Sequence, residues 1–156
     1  MATTFRVISL PPFRAAISGV SVDCAFTPDS VLGKFDQWFS NIKLTPRDSF
    51  MPRDFLYFDE KLNGMVWMYA LSEDIDPGEF EVIDFPGGLY LTYAYRDGGM
   101  EENAALFNEA MLYLTSSDIL MSDKDRTTLG HVITPKEVAE AQGWAQMETY
   151  IPVKLM

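Results

Sequence analysis

Glu148 and Tyr150 stand two residues apart in the closing run Met147-Glu148-Thr149-Tyr150-Ile151-Pro152-Val153. In an extended strand that spacing puts both side chains on one face. An acid beside a phenol, on a sheet rich in aromatics, is what recognition of an organic cation uses. Trp67 and Tyr69 repeat the spacing, and Trp38, Tyr93, Tyr95 and Trp144 add further rings with polar tips. Each such tip needs a hydrogen-bond partner when buried. Two readings of the set stay open, the lining of a ligand pocket and ordinary core packing. His131 is the only histidine and Cys24 the only cysteine. They are far apart in sequence and no Gly-x-Ser-x-Gly elbow is present, so a nucleophile and base have no support and no catalytic residue is assigned. The acidic run Glu73-Asp74-Ile75-Asp76 misses calcium-loop spacing. Gly87-Gly88 and Gly98-Gly99 fit turns rather than phosphate loops. No metal and no cofactor are expected.

The elements that must position these residues come in two similar halves. Phe5, Val7, Ile8 and Pro11 in FRVISLPP answer to Phe80, Val82, Ile83 and Pro86 in FEVIDFPG. In the first half, strands over 5–10 and 14–22 precede a helix over 28–41, with Thr27 as N-cap and Pro28 in its first turn. That helix turns Val31, Leu32, Phe35, Trp38, Phe39 and Ile42 to one face. Strands over 55–59 and 65–71 follow as a hairpin around Asn63-Gly64. The second half has strands over 80–85 and 89–96, then a helix over 101–116 whose apolar face is Ala104, Phe107, Met111 and Leu114. After a polar loop from Ser116 to Arg126 come a strand over 128–134, a helical turn over 135–142 and a last strand over 144–153. The expected fold is α+β: two βαββ-like repeats, about 5–71 and 80–153, related by a pseudo-twofold. An antiparallel sheet would carry both long helices, and a groove between the halves would be the ligand pocket.

At 156 residues the chain is read as a single domain spanning 1–156. Twelve basic against twenty-three acidic residues leave a net charge of −11. Such a surface repels phosphate backbones and anionic membranes and attracts cations, so neither direct nucleic-acid binding nor membrane binding is expected. No window has the roughly 18 consecutive apolar residues of a membrane span. The opening MATTFRVISL lacks the pattern of a secretory signal, and a lone cysteine forms no internal disulfide. These features point to the cytoplasm.

The opening VISLPPFRAA, the extended run after Pro86 and above all the Glu-x-Tyr-Ile-Pro-Val ending resemble the effector-binding domain family. That family includes ligand domains of AraC-type and MerR-type bacterial regulators and stand-alone gyrase-inhibitor-like proteins. The resemblance implies a groove that takes bulky, often cationic, hydrophobic molecules. It also implies an acid on the strand before the last, where this chain has Leu129-Gly130-His131-Val132-Ile133 and no acid; Glu148 is the candidate to replace it. No helix-turn-helix accompanies the motif, so the chain is not read as a complete regulator. The expectation is a small-molecule-binding module for a hydrophobic or cationic organic ligand, lined by Trp38, Trp67, Tyr69, Tyr93, Phe107, His131, Glu148 and Tyr150. Two alternatives stand beside it: a hydrolase of small reactive compounds using Glu148 or His131, and an interaction module that binds a protein partner through its acidic surface.

Overall fold

The computed structural model describes residues 5–43, 45–49 and 51–156. In chain order its elements are β1 (Arg6–Leu10), β2 (Phe13–Ser21), α1 (Val31–Phe39), a 3-10 turn (Pro46–Ser49), β3 (Asp54–Asp59), β4 (Gly64–Ala70), β5 (Glu81–Phe85), β6 (Gly88–Arg96), α2 (Met100–Thr115), β7 (Leu120–Ser122), β8 (Leu129–Val132), α3 (Lys136–Gln142) and β9 (Gln146–Leu155). The fold is α+β, as expected. The chain forms two compact units. One holds the chain up to Leu10 together with Gly88–Met156, the other Pro11–Gly87.

In the first of these units β9 is the spine. It pairs antiparallel with β6 from Gln146 to Val153, and β1 lies along the far edge of β6. On its other edge β9 carries β8 over Met147–Tyr150 and β7 over Val153–Leu155. The loop expected from Ser116 to Arg126 thus contains a strand. Leu120 is its buried residue, and so few residues give no periodicity to read.

α2 packs on the face of this sheet that carries Leu91, Tyr93, Ile151 and Val153. Its contact line is Leu106, Ala110 and Leu114, flanked by Met111. The expected face is therefore turned by about one residue: Leu114 and Met111 belong to it, whereas Ala104 and Phe107 are exposed. The reason is the sheet's own bulk. Tyr93 and Tyr95 fill the layer from below, and the small Ala110, fully buried, lets the helix come close. Asn103 fixes the contact, its Oδ1 accepting from the Tyr93 hydroxyl at 2.6 Å and from Thr149 Oγ1 at 3.4 Å.

In the second unit the order is β3-β4-β2-β5, every pair antiparallel. β2 carries an irregularity between Ile17 and Val20. There the Ser18 hydroxyl accepts the Trp67 backbone N–H at 2.9 Å. α1 starts later than expected, with Ser30 rather than Thr27 as its N-cap and the Gly33 N–H donating to Ser30 Oγ at 3.0 Å. Thr27-Pro28-Asp29-Ser30 forms a turn closed by Ser30 N–H to Thr27 O at 2.9 Å, a place where proline is equally at home. A Cβ on Gly33 would stand 1.9 Å from the Thr27 carbonyl oxygen, so this turn and helix meet only at glycine. The helix buries Leu32, Phe35 and Phe39, and Val31 and Trp38 stay exposed at its margins.

The duplicated Phe-x-Val-Ile motif has a structural counterpart. β1 pairs with β6, and β5 pairs with β2, each over five residues. Each compact unit therefore carries the opening strand of the other sequence half.

Candidate functional site

On an antiparallel sheet, residues opposite one another share a face, as do residues two apart on one strand. The register therefore defines a face by itself. Arg6 lies opposite Thr92, Thr92 opposite Tyr150, and Tyr150 opposite Leu129. One step along, Ala94 lies opposite Glu148 and Glu148 opposite His131. This is the side of the sheet away from α2.

A cleft of about 370 Å³ opens on it, lined by Arg6, Thr92, Tyr93, Ala94, Ile133, Gln146 and Glu148. Glu148 is the chemical centre. The residue is only 4% exposed, and a carboxylate so placed needs donors. Two donors of different character engage it. The Tyr150 hydroxyl donates to Glu148 Oε1 at 2.5 Å, from a ring fully buried and set edge-on to Tyr90. Arg6 Nη2 donates to Oε2 as an ion pair, and the side chain of Arg6 is 62% exposed. That bond, together with the field of the carboxylate, holds the Arg6 guanidinium above its ordinary pKa. Tyrosine is the fixed partner and arginine the loose one.

Thr92 has no such satisfaction. It is 0% exposed, lies on the cleft floor, and its Oγ1 has no hydrogen-bond partner. A buried hydroxyl left unpaired costs about 1–3 kcal/mol.

Of the residues read from the sequence, the structure brings Glu148, Tyr150 and His131 to this face. Tyr93 points to the α2 side, where burial pushes its hydroxyl pKa up. Phe107 is 37% exposed on α2. Trp38, Trp67 and Tyr69 belong to the second unit. Tyr69 stacks on Phe39 at 4.4 Å under the Arg53 guanidinium, and Trp67 Nε1 donates to Asp54 Oδ2 at 3.0 Å. Trp38 donates to the Asp76 carbonyl at 2.8 Å and lines a smaller crevice with Ile42, Lys43, Asp74, Ile75 and Asp76.

Arg6 and Thr92 were not among the residues read from the sequence. One signal was available for Arg6. It occupies the variable position of the duplicated motif, where the second copy has Glu81. Among the described residues, no group of three or more His, Cys, Asp or Glu side chains is placed to hold a metal ion. Among the same residues, no helix is long and apolar enough to cross a membrane.

No family model and no curated protein sequence matches the chain. Solved structures do match it in fold. The C-terminal domain of EcmrR aligns with a TM-score of 0.64 at 11% identity, covering 100% of both chains. SAV2435, in a structure with tetraphenylphosphonium bound, aligns with a TM-score of 0.55 at 12% identity, covering 97% of this chain and 94% of that one. A hydrolase from Listeria innocua aligns with a TM-score of 0.56 at 12% identity, covering 97% and 92%. Element order, antiparallel pairing and these full-length superpositions agree with what the Glu-x-Tyr-Ile-Pro-Val ending implies, and the chain has the fold of the gyrase-inhibitor-like effector-binding domains.

Proposed function

We propose that the chain is a small-molecule-binding module that takes an organic cation at Glu148, in the cleft floored by Thr92 and Ala94. The observation that carries this reading is the state of Glu148. A carboxylate 4% exposed in a cleft wall is held by one buried hydroxyl and one mostly solvated guanidinium. A carboxylate in apolar surroundings attracts a cation far more strongly than one in water, because the local dielectric is low. The volume, about 370 Å³, lies within the range of small-molecule sites. The net charge of −11 raises the local concentration of cations around the chain. A protein of the same fold binds tetraphenylphosphonium, which supports the class of ligand. Tyr150 and His131 complete the proposed site, from the register positions beside Glu148.

The hydrolase reading asks Glu148 to act as a general base. Both of its oxygens already accept hydrogen bonds, from Arg6 and from the Tyr150 hydroxyl, whereas a general base needs an oxygen open to the proton it takes, and this favours binding over catalysis. The test is calorimetric titration of the chain with tetraphenylphosphonium, in wild type and in Glu148→Gln. Saturable binding is expected, weakened about tenfold or more by the substitution, the size of a lost interaction with a buried charge. Equal affinity in the two proteins would remove Glu148 from the site.

A further inference from the structure

Arg6 and Glu148 are 142 positions apart in sequence and do not stand on neighbouring strands. β6 lies between them, with Thr92 opposite Arg6 and Ala94 opposite Glu148. The Arg6 and Glu148 side chains together therefore bridge about two strand spacings, roughly 9–10 Å between their backbones. Arg6, Thr92, Ala94 and Glu148 all line the same cleft. The Arg6 side chain is 62% exposed, so little packing holds it down. Beside Arg6 in the register, the Thr92 hydroxyl is sealed from solvent and unpartnered.

We propose that Arg6 is a built-in occupant of the Glu148 subsite, displaced when an organic cation binds, and that its departure uncovers the Thr92 hydroxyl as a hydrogen-bond partner for the ligand. The proposal rests on the reading of Glu148 as a cation site and extends it in two ways. It makes Arg6 an autoinhibitory strap that sets a threshold of affinity, since any ligand must out-compete a tethered guanidinium. It also narrows the ligand class to aromatic cations carrying a hydrogen-bonding group a few ångströms from the charge, within reach of Thr92. A cation without such a group gains the carboxylate but leaves the hydroxyl orphaned.

Two probes separate these contributions. Tetraphenylphosphonium has charge and aromatic bulk but no hydrogen-bonding group, whereas ethidium is an aromatic cation with two ring amines. Both are titrated calorimetrically into wild type, Arg6→Gln, Arg6→Lys, Thr92→Val and Glu148→Gln. Arg6→Gln is expected to tighten both probes about two- to fivefold, the range for releasing one partly exposed ion pair. Adding Glu148→Gln to it should cancel the gain. Arg6→Lys should give a smaller gain, because a lysine keeps the competing charge while lacking the forked geometry that grips a carboxylate. It serves as the reserve variant if Arg6→Gln melts early. Thr92→Val should weaken ethidium about fivefold and leave tetraphenylphosphonium unchanged.

The outcomes divide cleanly. If wild type binds and Glu148→Gln does not, but neither Arg6 variant binds more tightly, the strap is refuted and the cation site stands. If neither wild type nor Arg6→Gln binds either probe, strap and cation site both fall. Loss of both probes alike in Thr92→Val, or of neither, removes Thr92 from the ligand's reach.

Discussion

Tyr150→Phe removes one oxygen and nothing else. The ring stays, fully buried and set at 82° to Tyr90 with centroids 6.3 Å apart, so no cavity opens. What disappears is the 2.5 Å bond to Glu148 Oε1, between two groups that hardly touch solvent. A hydrogen bond to a charged partner contributes about 1.5–3 kcal/mol net, and here its loss leaves one buried carboxylate oxygen without that donor. The expected destabilisation is about 2 kcal/mol. For a chain of this length it corresponds to roughly 4–8 °C in Tm. Arg6 cannot compensate, because it already engages the other oxygen and its side chain lies mostly in water. Urea unfolding followed by tryptophan fluorescence measures the change as a shift of midpoint at constant slope. The control is the same substitution in a Glu148→Gln background, where the acceptor is a neutral amide. There Tyr150→Phe should cost about 1 kcal/mol less, and this difference isolates the charge-assisted part of the bond. An equal cost in both backgrounds would refute the reasoning, because the hydroxyl would then not be answering the carboxylate's charge.

Two further outcomes follow from groups that hold the frame. Asp48 is gripped by Arg53 at 2.8 and 3.2 Å, which lowers its pKa from 3.8 to about 2; with the folded value below the unfolded one, the pair stabilises the fold fully above pH 3.8 and loses that contribution as pH falls through about 2. At about 1.4 kcal/mol per unit this is about 2 kcal/mol, so Asp48→Asn should be less stable near pH 6, and the gap from wild type should close toward pH 2; a gap independent of pH refutes it. Gly88 has φ +127° and an added Cβ would lie 2.4 Å from Arg126 Nη1, a guanidinium fixed by Asp123 and by the Leu89 and Val153 carbonyls. Gly88→Ala should cost about 3 kcal/mol in the same urea assay, from backbone strain and lost bonds together, and a cost below about 1 would show that Arg126 moves aside freely.

The parts of the fold that could be read from the sequence are those with local signals. The hairpin around Asn63-Gly64, both long helices and the proline-stopped strands each rest on a few adjacent residues. Long-range competition decided the rest. Thr27 and Ser30 are both good caps. Ser30 takes the role because Gly33 lets the helix start against the preceding turn, a clearance no propensity encodes. The face of α2 turned on the small Ala110 rather than on the large Phe107, because the tyrosines of β6 had filled the layer first. At the candidate site, the pairing of Glu148 with Tyr150 follows from strand spacing alone. Arg6 does not, since only the sheet register brings it near a carboxylate 142 residues away. Thr92 is equally silent in sequence, where nothing marks a threonine that will be buried without a partner.

A buried carboxylate weighs on this fold in a way that argues for its use. Taking an acid out of water costs several kcal/mol, and ion pairs in such places are often replaced by apolar side chains without loss of stability. Glu148 sits among residues that could fill the same face with hydrocarbon, and its neighbours Leu129, Ile133 and Ala94 do so. Next to it, Thr92 spends its hydroxyl on nothing, where a valine of nearly the same shape would carry no such penalty. Two adjacent departures from the packing that stability alone would favour, both on the floor of one cleft, describe a surface shaped for a polar occupant. Arg6 is the occupant the chain supplies itself. Its equivalent in the duplicated motif is Glu81, so the arginine is specific to one copy, and that copy lies beside the acid. Strain stored in unsatisfied polar groups at a cleft is what a binding site retains when its ligand is meant to supply the missing partner.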